Sequence, residues 1–474
     1  MKRVRFLFPL LAALWWMMSM GSCKKETLLQ TGGELRFSTD TLSFDTVFTQ
    51  YASFTLSIKI YNPQNQKIKV GSVRLEQGDQ SFFSLNVDGV SGNRVTDIDV
   101  AANDSFYVFA TVRIDPTNEN NPFIIEDRLI ATLNGAEFSI PVYAYGQNAH
   151  YYTDSLISQN TTWVNDKPYV IVKNAMVDSG VTLTIQPGCK IYMNQDARFF
   201  VWGNIIAEGT KQDSIIFQGN RLDRAYFGYE GYPGEWGGFY FFPSSIHNKM
   251  SWVIIRNGGN STSGTLPAAI QVTGDPGSPI QLTMNNTLIE NSIGYGLISF
   301  TGNVQAQNCL IHTTGAQALA LFRGGTYSFD NCNILNYGTN KVKHIDAGNP
   351  TVAVLNYFDI SETQREVADL NAHFRNCILY GSLDDEIFCN KDANAAYNTQ
   401  FTHCILKAKE PITHAVMTNC KLNEDPLFHD LAKWDYRLQL GSPAIDAGIS
   451  VSPITNDLDD KPWTPPFDIG CYQY

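Results

Sequence analysis

Residues 280–338 read IQLTMNNTLIENSIGYGLISFTG, NVQAQNCLIHTTGAQALALFRG and GTYSFDNCNILNYG, three consecutive segments with one shared pattern. In each segment an asparagine precedes a small residue, an apolar pair follows, and a glycine comes after it. The spacing is 22 residues from Asn286 to Asn308 and 23 residues from Asn308 to Asn331. Self-similarity with a period in the twenties indicates a solenoid.

The repeated units have the composition and alternation of β-strands. Ile280, Leu282 and Met284 alternate with polar residues, and β-branched and aromatic residues lie between turn-forming positions. The i, i+3, i+4 spacing of an amphipathic helix is not evident. The pattern therefore predicts a parallel β-helix, an all-β solenoid.

The same pattern continues less regularly toward the C-terminus. It recurs at Asn376-Cys377, at His403-Cys404 and at Asn419-Cys420. The interval from Asn331 to Asn376 is 45 residues, which predicts two coils of 22 and 23 residues, with the repeat in the middle disguised as residues 351–358. The next intervals, 27 and 16 residues, fit the period less well.

Two ladders of stacked side chains follow from this repeat. Equivalent residues of neighbouring parallel strands lie about 4.8 Å apart and point the same way, a poor geometry for disulfides, whose Cβ atoms approach to about 3.8 Å. We therefore expect unpaired, buried thiols at Cys309, Cys332, Cys377, Cys404 and Cys420. We expect turn positions with amides bonded from coil to coil at Asn286, Asn308, Asn331, Asn376 and Asn419.

Length and charge bear on the number of domains and on the kind of partner. The chain has 474 residues, enough for two or three domains, with a net charge of −12 and no basic run. Binding to nucleic acid needs lysine and arginine against the phosphates, so we expect no nucleic-acid partner.

The N-terminus has the features of an export signal. Lys2, Arg3 and Arg5 precede an uncharged run from residue 6 to residue 20, too short to span a bilayer as a helix. Residues 20–23, MGSC, resemble the lipobox of bacterial lipoproteins, which implies a signal peptide over 1–22, acylation of Cys23 and a tether over 23–33. The alternative is an ordinary signal peptide or short anchor with an incidental cysteine.

Residues 34–148 predict a β-sandwich. Short alternating strands include Phe54–Ile60 and Phe106–Ile114, and a hairpin turns at Asn134-Gly135. About seven strands with turns every ten residues or so is the count of an antiparallel sandwich. The arrangement resembles the immunoglobulin-like modules that precede other domains in exported bacterial proteins, where a spacer or a binding module is implied.

The rest of the chain carries two further resemblances. Residues 180–193, GVTLTIQPGCKIYM, resemble the opening coils of right-handed parallel β-helix proteins, which implies such a domain over 149–424. Residues 425–474 contain DPLF, DYRL, GSPAIDAG and DIGCY in that order and resemble the C-terminal segment of many exported β-helix proteins. That segment is expected to cap the last coil of the solenoid.

An aromatic excursion interrupts the repeat and supplies the first candidate binding site. Solenoid insertions map to loops on a face that often binds ligands, and aromatic rings stack on the C–H faces of sugars. The candidate ligand-binding residues are Tyr226, Phe227, Tyr229, Tyr232 and Trp236. The alternative is that these rings only cover the coil beneath, and Trp236 resembles a structural turn residue.

Acidic residues supply weaker candidates. Asp384, Asp385 and Glu386 are candidate catalytic carboxylates, since glycosidases use facing pairs, although acidic loop tips are usually only solvated. Asp457, Asp459 and Asp460 are candidate calcium ligands, with a turn in the C-terminal segment as the alternative. The histidines show no shared register with an acid, and residues 359–370 are expected to form a short helical turn.

Taken together, the sequence predicts a lipoprotein of the bacterial outer membrane that binds an extended ligand such as a polysaccharide. No cofactor is indicated, apart from the calcium that the acidic residues would take. The Gly-His-Gly and Arg-Ile-Lys elements of polygalacturonase-like proteins are missing, so catalysis is unsupported. A polysaccharide lyase or hydrolase and a protein-interaction module remain the alternatives, and the membrane leaflet and oligomeric state stay open.

Overall fold

The computed structural model describes residues 27–49, 53, 55–114, 123–222, 231–261, 266–346, 348–409, 411–451 and 455–474. The predicted signal peptide and Cys23 therefore lie outside the described residues. The chain divides into two compact units after Gln147. Among the described residues, no helix is both long enough and apolar enough to cross a bilayer.

The first unit consists of ten described strands. They are β1 (Arg36–Phe37), β2 (Leu42–Phe48), β3 (Leu56–Tyr61), β4 (Ile68–Leu75), β5 (Phe83–Val87), β6 (Val90–Ser91), β7 (Arg94–Val100), β8 (Ser105–Val112), β9 (Phe123–Leu133) and β10 (Ala136–Gln147). One 3-10 turn lies at Gly78–Gln80. One sheet has the order β1-β3-β8-β5-β6 and the other β2-β10-β9-β4-β7.

The two sheets pack face to face as a sandwich. Leu56, Ile58 and Ile60 of β3 are buried while the residues between them are not, as alternation along a half-buried strand requires. The rings of Phe44 on β2 and Phe83 on β5 meet with centroids 5.6 Å apart and join the sheets. All pairings are antiparallel except that of β10 with β2. The predicted antiparallel sandwich is confirmed.

The second unit consists of short strands, again counted over the described residues. They are β11 (His150–Tyr152), β12 (Ser155–Ile157), β13 (Thr161–Trp163), β14 (Tyr169–Ile171), β15 (Ala175–Val177), β16 (Thr182–Ile185), β17 (Lys190–Met193), β18 (Arg198–Val201), β19 (Asn204–Glu208), β20 (Ile215–Gly219), β21 (Gly238–Phe241), β22 (Asn248–Ser251), β23 (Val253–Arg256), β24 (Ala268–Thr273), β25 (Leu282–Asn285), β26 (Leu288–Ser292) and β27 (Tyr295–Phe300). There follow β28 (Asn303–Gln307), β29 (Leu310–Thr314), β30 (Leu319–Phe322), β31 (Gly325–Asp330), β32 (Asn333–Asn336), β33 (Val352–Leu355), β34 (Tyr357–Ser361), β35 (Gln364–Val367), β36 (Leu370–Arg375), β37 (Ile378–Gly381), β38 (Ile387–Asn390), β39 (Tyr397–Thr402), β40 (Ile405–Leu406), β41 (Val416–Thr418), β42 (Lys421–Leu422), β43 (Phe428–Asp430) and β44 (Asp435–Leu438), with a 3-10 turn at Leu431–Lys433.

Successive strands of this unit join three parallel sheets in rotation. The eleven-stranded sheet has the order β11-β14-β17-β20-β23-β26-β29-β32-β37-β40-β42, the nine-stranded sheet β12-β15-β18-β21-β24-β27-β30-β33-β38, and the ten-stranded sheet β13-β16-β19-β22-β25-β28-β31-β36-β39-β41. Crossovers between parallel strands of one sheet are right-handed in nearly all proteins. The second unit is a right-handed parallel β-helix, as predicted.

The interior of the β-helix contains the predicted cysteine ladder. All eight described cysteines are unpaired, and all but Cys420 are buried. Burial raises the pKa of Cys189 to about 11 and that of Cys389 to about 12, so these two remain protonated thiols. Of the five ladder thiols, those of Cys309, Cys332, Cys377 and Cys404 are buried in the core and pack as small apolar side chains, as expected, while that of Cys420 is only partly buried.

The asparagine ladder occupies a left-handed turn position, but its amides bond differently from the prediction. The φ angles are +48°, +50°, +50°, +51° and +51° at Asn286, Asn308, Asn331, Asn376 and Asn419. Asparagine tolerates this conformation better than other residues that carry a Cβ atom. Coil-to-coil bonds join Asn376 to Asn331 at 3.4 Å and Asn419 to His403 at 3.0 Å. The other amide bonds run to the C-terminal segment.

The C-terminal segment, residues 425–474, folds back along the side of the β-helix. Asn286 donates to the carbonyl of Asp457 at 3.0 Å, and Lys211 donates to the carbonyl of Leu458 at 2.8 Å. Its apolar residues, including Phe428, Tyr436 and Ile469, bury the outer face of the eleven-stranded sheet around Leu310 and Ile378. The expected cap on the last coil is thus a lateral cover, because the outward residues of this sheet are apolar and need one.

Two local expectations are wrong. Strand β31 pairs directly with β36, so the 45 residues between Asn331 and Asn376 form one coil with long excursions rather than two coils. Residues expected to turn as a helix form the antiparallel hairpin β34–β35 instead. Phe358 explains the hairpin, because its ring packs on Phe300 with centroids 4.9 Å apart.

Candidate functional site

Four partly exposed aromatic rings lie together on the outer face of the nine-stranded sheet. We call this group, Phe200, Trp202, Tyr240 and Phe242, the aromatic patch. In residues 198–203 and 238–243, RFFVWG and GFYFFP, alternate side chains point inward and outward. The inward partners Phe199, Val201, Phe239 and Phe241 are buried in the core. The core therefore fixes the backbone that presents the patch.

The rings of the patch support one another in a flat group. Phe200 and Tyr240 are directly opposite each other in the register of β18 and β21. The rings of Trp202 and Phe242 stack with centroids 4.2 Å apart and an angle of 11° between their planes. Tyr240 contacts Phe242 at 4.5 Å. The arrangement gives a continuous aromatic surface across two coils.

The patch is one end of a longer apolar row. Leu156 on β12 pairs with Met176 on β15, and Met176 pairs with Phe200 on β18. Leu156 is 53% exposed. With strands about 4.8 Å apart, the row from Leu156 to Tyr240 spans about 14 Å. Gln271, the next residue in register, ends the row with a polar group.

Part of the C-terminal half of the same face is covered. The hairpin β34–β35 lies over it, with Phe358 packed on Phe300 and stacked on Phe322 with centroids 5.9 Å apart. Arg323 binds Glu366 of the hairpin at 2.6 Å. The hairpin thus covers the part of the face around Phe300 and Phe322 and not the aromatic patch.

The five excursion residues predicted to bind ligands do not form one exposed group among the described residues. Tyr226, Phe227 and Tyr229 lie outside the described residues. Trp236 is fully buried, its indole N–H donates to the carbonyl of Arg256 at 2.9 Å, and its ring serves the core rather than a ligand. Tyr232 is half-buried beneath the ammonium of Lys341, which is 4.7 Å from the ring centroid.

The three acidic candidates near residue 385 do not form a facing pair of catalytic groups. The carboxylate of Asp384 is 80% exposed and 3.9 Å from Lys409. Asp385 accepts from the amide of Lys409 at 2.6 Å. Glu386 is fully buried and accepts from His344 Nε2 at 2.9 Å. Glu386 is therefore a structural group, inaccessible to a large substrate.

A second histidine–glutamate pair was missed by the sequence analysis. Glu290 lies 3.3 Å from His312 Nε2 and 3.1 Å from Arg256 Nε, on neighbouring strands of the eleven-stranded sheet. Burial acts to raise the pKa of Glu290, but the hydrogen bond from His312 and the charge of Arg256 outweigh it and lower that pKa. Trp434 and Tyr436 cover His312. Only the pairing of the strands brings Arg256, Glu290 and His312 together. The intervals between these residues in the sequence are irregular, so no repeat in the sequence indicates the cluster.

The acidic residues near residue 459 are engaged by protein groups. Asp457 is fully buried and accepts from the amides of Asp459 and Lys461, both at 2.8 Å. Asp459 binds Arg437 and Lys211, and Asp460 accepts from Asn456. In the described ranges, no three His, Cys, Asp or Glu side chains converge as a metal site requires. These carboxylates hold the turn of the C-terminal segment.

No protein-family model matches the chain, and no curated protein matches it by sequence. Among solved structures it is similar to the A-module of the mannuronan C-5 epimerase AlgE4 of Azotobacter vinelandii, at 11% identity and a TM-score of 0.24, over 60% of this chain and 81% of that one.

Two further structures resemble smaller parts of the chain. A family 123 glycoside hydrolase from Clostridium perfringens matches 24% of this chain and 26% of its own length, at 8% identity and a TM-score of 0.18. A PapD-like domain of human CEP192 matches 27% of this chain and 92% of its own, at 10% identity and a TM-score of 0.18. Likenesses this low establish no shared activity.

Proposed function

We propose that the protein binds an extended polysaccharide, without transforming it, on the outer face of the nine-stranded sheet. The observation that carries the proposal is the aromatic patch, a flat set of stacked rings that alternation forces to the surface. Aromatic rings offer large apolar area with little conformational entropy to lose on binding. The repeating face of a solenoid suits a repeating, chain-like ligand.

Substitutions in the patch test this proposal. We expect the double variant Trp202→Ala and Tyr240→Ala to lose about 1.5–3 kcal/mol of binding free energy, roughly tenfold to a hundredfold in affinity, because both stacking surfaces disappear. Retardation of the mature protein in affinity gels containing a panel of polysaccharides measures it, after a glycan array has selected the polymers.

Phe388→Ala is the matched control for that experiment. Phe388 is an aromatic residue on the same face of the same sheet, 46% exposed, at the opposite end on β38. Its loss should leave gel retardation unchanged. Wild-type retardation by the double variant would reject the patch as the site. Release of reducing or unsaturated ends from the polymer would instead identify a hydrolase or lyase.

We further propose that the chain is held at the bacterial outer membrane through an acylated Cys23. The first unit would then serve as a spacer, as immunoglobulin-like modules do. The basic start, the apolar run and the MGSC sequence support this proposal. Several acyl chains would hold the protein stably, since each buried methylene contributes about 0.8 kcal/mol.

Metabolic labelling tests the anchor. Cells that express the full-length protein and are fed an alkyne fatty acid should yield labelled protein in the membrane fraction, because acylation attaches the labelled fatty acid at Cys23. The variant Cys23→Ser should carry no label and leave that fraction. Cys420→Ser, the partly exposed cysteine of the ladder, is the control and should stay labelled. Undiminished labelling of Cys23→Ser would exclude this anchor.

A further inference from the structure

A cavity of about 310 Å³ lies between the turns of the β-helix and the C-terminal segment, remote in sequence from the aromatic patch. This volume is at the lower end of the range for small-molecule sites. Two neighbouring coils form one wall and the C-terminal segment forms the other, and the space is lined by residues 307–308, 330–331, 449–451, Thr455, Trp463 and Phe467. Because segments distant in sequence build the cavity, the tertiary fold fixes its shape.

Asn308 brings an unsatisfied buried acceptor to this cavity. The residue is fully buried, and its φ of +50° places it at the turn. Its Nδ2 donates to the carbonyl of Asn456, but its Oδ1 accepts no hydrogen bond from any described residue. Buried acceptors are almost always paired, so a buried oxygen on a cavity wall calls for a donor that the described chain does not supply.

A break in the asparagine ladder explains why this donor is missing. Further along the β-helix, Asn376 Nδ2 donates to Asn331 Oδ1 at 3.4 Å. The corresponding bond one coil earlier, from Asn331 to Asn308, is not made, because Asn331 Nδ2 donates to the carbonyl of Gly470 at 3.4 Å instead. Asn308 and Asn331 both line the cavity, which therefore lies at the break. The C-terminal segment both interrupts the ladder and encloses the space beside it.

The charges around the cavity favour a cation over an anion. Asp330 lies beside Asn308, whose backbone amide donates to the Asp330 carbonyl at 3.0 Å. The Asp330 carboxylate is paired with Arg375 at 2.6 Å, and its oxygens keep further lone pairs. None of the described lining residues is a lysine or an arginine. The C-terminal segment has eight aspartates against three lysines and arginines, so its own field attracts positive charge.

The opposite wall of the cavity is aromatic and aliphatic. Trp463 and Phe467 are half-buried and line it together with Ile449 and Val451. The face of an aromatic ring attracts a cation through its quadrupole, and an indole does so most strongly. The cavity thus has oxygen acceptors on one side and a surface suited to a cation on an apolar stem on the other.

We infer that this cavity binds a primary ammonium group carried on a short apolar chain. The ammonium donates to Asn308 Oδ1 and to the Asp330 carboxylate, with the indole of Trp463 beside it. The apolar chain packs against Ile449 and Phe467. An ammonium offers three donors and no acceptor, which matches a lining with an acceptor left to satisfy. Hydrogen bonds from a charged donor are stronger than neutral ones, so the site prefers an amine to an alcohol of the same length. The inference goes beyond the proposed function and does not rest on it.

Titration with small amines tests the inference on the full mature chain. In calorimetry and saturation-transfer NMR at neutral pH, n-pentylamine should bind at least about tenfold more tightly than 1-pentanol, and pentanoate should bind more weakly still. A short N-acetylated peptide with one lysine is the second probe. Tighter binding of the peptide would identify a lysine side chain as the source of the ammonium group, and tighter binding of pentylamine a free amine. Equal binding of pentanol and pentylamine would overturn the inference. Failure of both amines to bind would also overturn it, since water would then satisfy Asn308.

Two glutamines of strand β28 supply matched variants, because Asn308 itself is fully buried and its replacement would disturb the fold. Gln305 and Gln307 both point outward from the strand, but of the two only Gln307 lines the cavity. Gln307→Lys should weaken pentylamine binding at least about tenfold, because it places a second positive charge beside the ammonium. Gln305→Lys adds the same charge to the chain and should leave binding unchanged. Equal losses in the two variants would mean that only general charge matters and would contradict the inference.

The aromatic wall is tested in the same way. Trp463→Leu should weaken pentylamine binding about fivefold or more, because the cation loses the indole face. Tyr474→Leu, which removes a 57% exposed ring of the same segment outside the cavity, should leave binding unchanged. Trp202→Ala in the aromatic patch should also leave it unchanged, whatever happens to polysaccharide binding. Full binding of pentylamine by a correctly folded Trp463→Leu protein would overturn the assignment of the ammonium to this cavity.

Discussion

Replacing Glu386 by alanine is expected to lower the free energy of unfolding by about 3–5 kcal/mol, among the largest effects of any single side chain. The carboxylate is fully buried and accepts from His344 Nε2 at 2.9 Å, from the amide and hydroxyl of Thr351 at 3.0 and 2.7 Å, and from the amide of Leu383 at 2.7 Å. Truncation leaves four donors without this acceptor, three of them buried and one part-buried, which is costlier than the loss of an exposed ion pair.

Asp384→Ala is the matched control for Glu386. The two acids are two residues apart, but the Asp384 carboxylate is 80% exposed and 3.9 Å from its lysine partner, so its loss should change stability by less than about 0.5 kcal/mol. Urea unfolding of both variants, followed by fluorescence, gives the comparison. Equal midpoints for the two would contradict the structural role of Glu386. Glu386→Gln, which keeps the side-chain volume, should have an unfolding midpoint between those of Glu386→Ala and Asp384→Ala.

The core of the fold was predictable because a parallel β-helix repeats its interior residue by residue. The cysteine ladder and the positive-φ asparagines, at +48° to +51°, recur at corresponding positions of successive coils, so their spacing in the sequence reports their spacing in space. The antiparallel sandwich was predictable for a similar reason, since period-two burial in β3 and β8 is visible as alternation.

What escaped prediction depends on contacts between distant segments. The C-terminal segment was expected at the end of the solenoid, yet it lies on its flank, where Asn286 bonds the carbonyl of Asp457, 171 residues away. The 45-residue coil was read as two because excursions of irregular length add residues without adding a coil. No local periodicity encodes either outcome.

The candidate site was half visible in the sequence. Each of the two runs, residues 198–203 and residues 238–243, shows alternating aromatic residues, but the interval of 40 residues from Phe200 to Tyr240 hides their pairing in register. The aromatic composition of the excursion predicts a binding surface. The ring of Trp236, however, is buried in the core. Whether a ring on a sheet face is exposed depends on which segment covers it. The hairpin β34–β35 covers Phe300 and Phe322 and leaves the aromatic patch open.

Asn376 should be the most sensitive residue of the asparagine ladder. It is fully buried, its Oδ1 accepts from the amide of Ile449 at 3.0 Å, and its Nδ2 donates to the carbonyl of Ile449 at 2.7 Å. We expect Asn376→Ala to cost about 3–5 kcal/mol, since the half-buried backbone groups of Ile449 lose their partner and alanine is strained at a φ of +51°. The loss should concentrate where the C-terminal segment docks.

Asn419→Ala separates the docking contribution from backbone strain. Asn419 has the same φ of +51°, but it is exposed and, among the described residues, its side-chain amide bonds only His403. Its replacement should therefore cost about 1–2 kcal/mol, mainly strain. Hydrogen exchange across residues 445–451 should accelerate strongly in Asn376→Ala and little in Asn419→Ala. Asn376→Gly, free of the strain, should show the same local acceleration with a smaller loss of stability. Because the docking bonds join a side chain to the backbone of a segment 73 residues away, unchanged protection there in Asn376→Ala would mean that apolar burial alone holds the C-terminal segment.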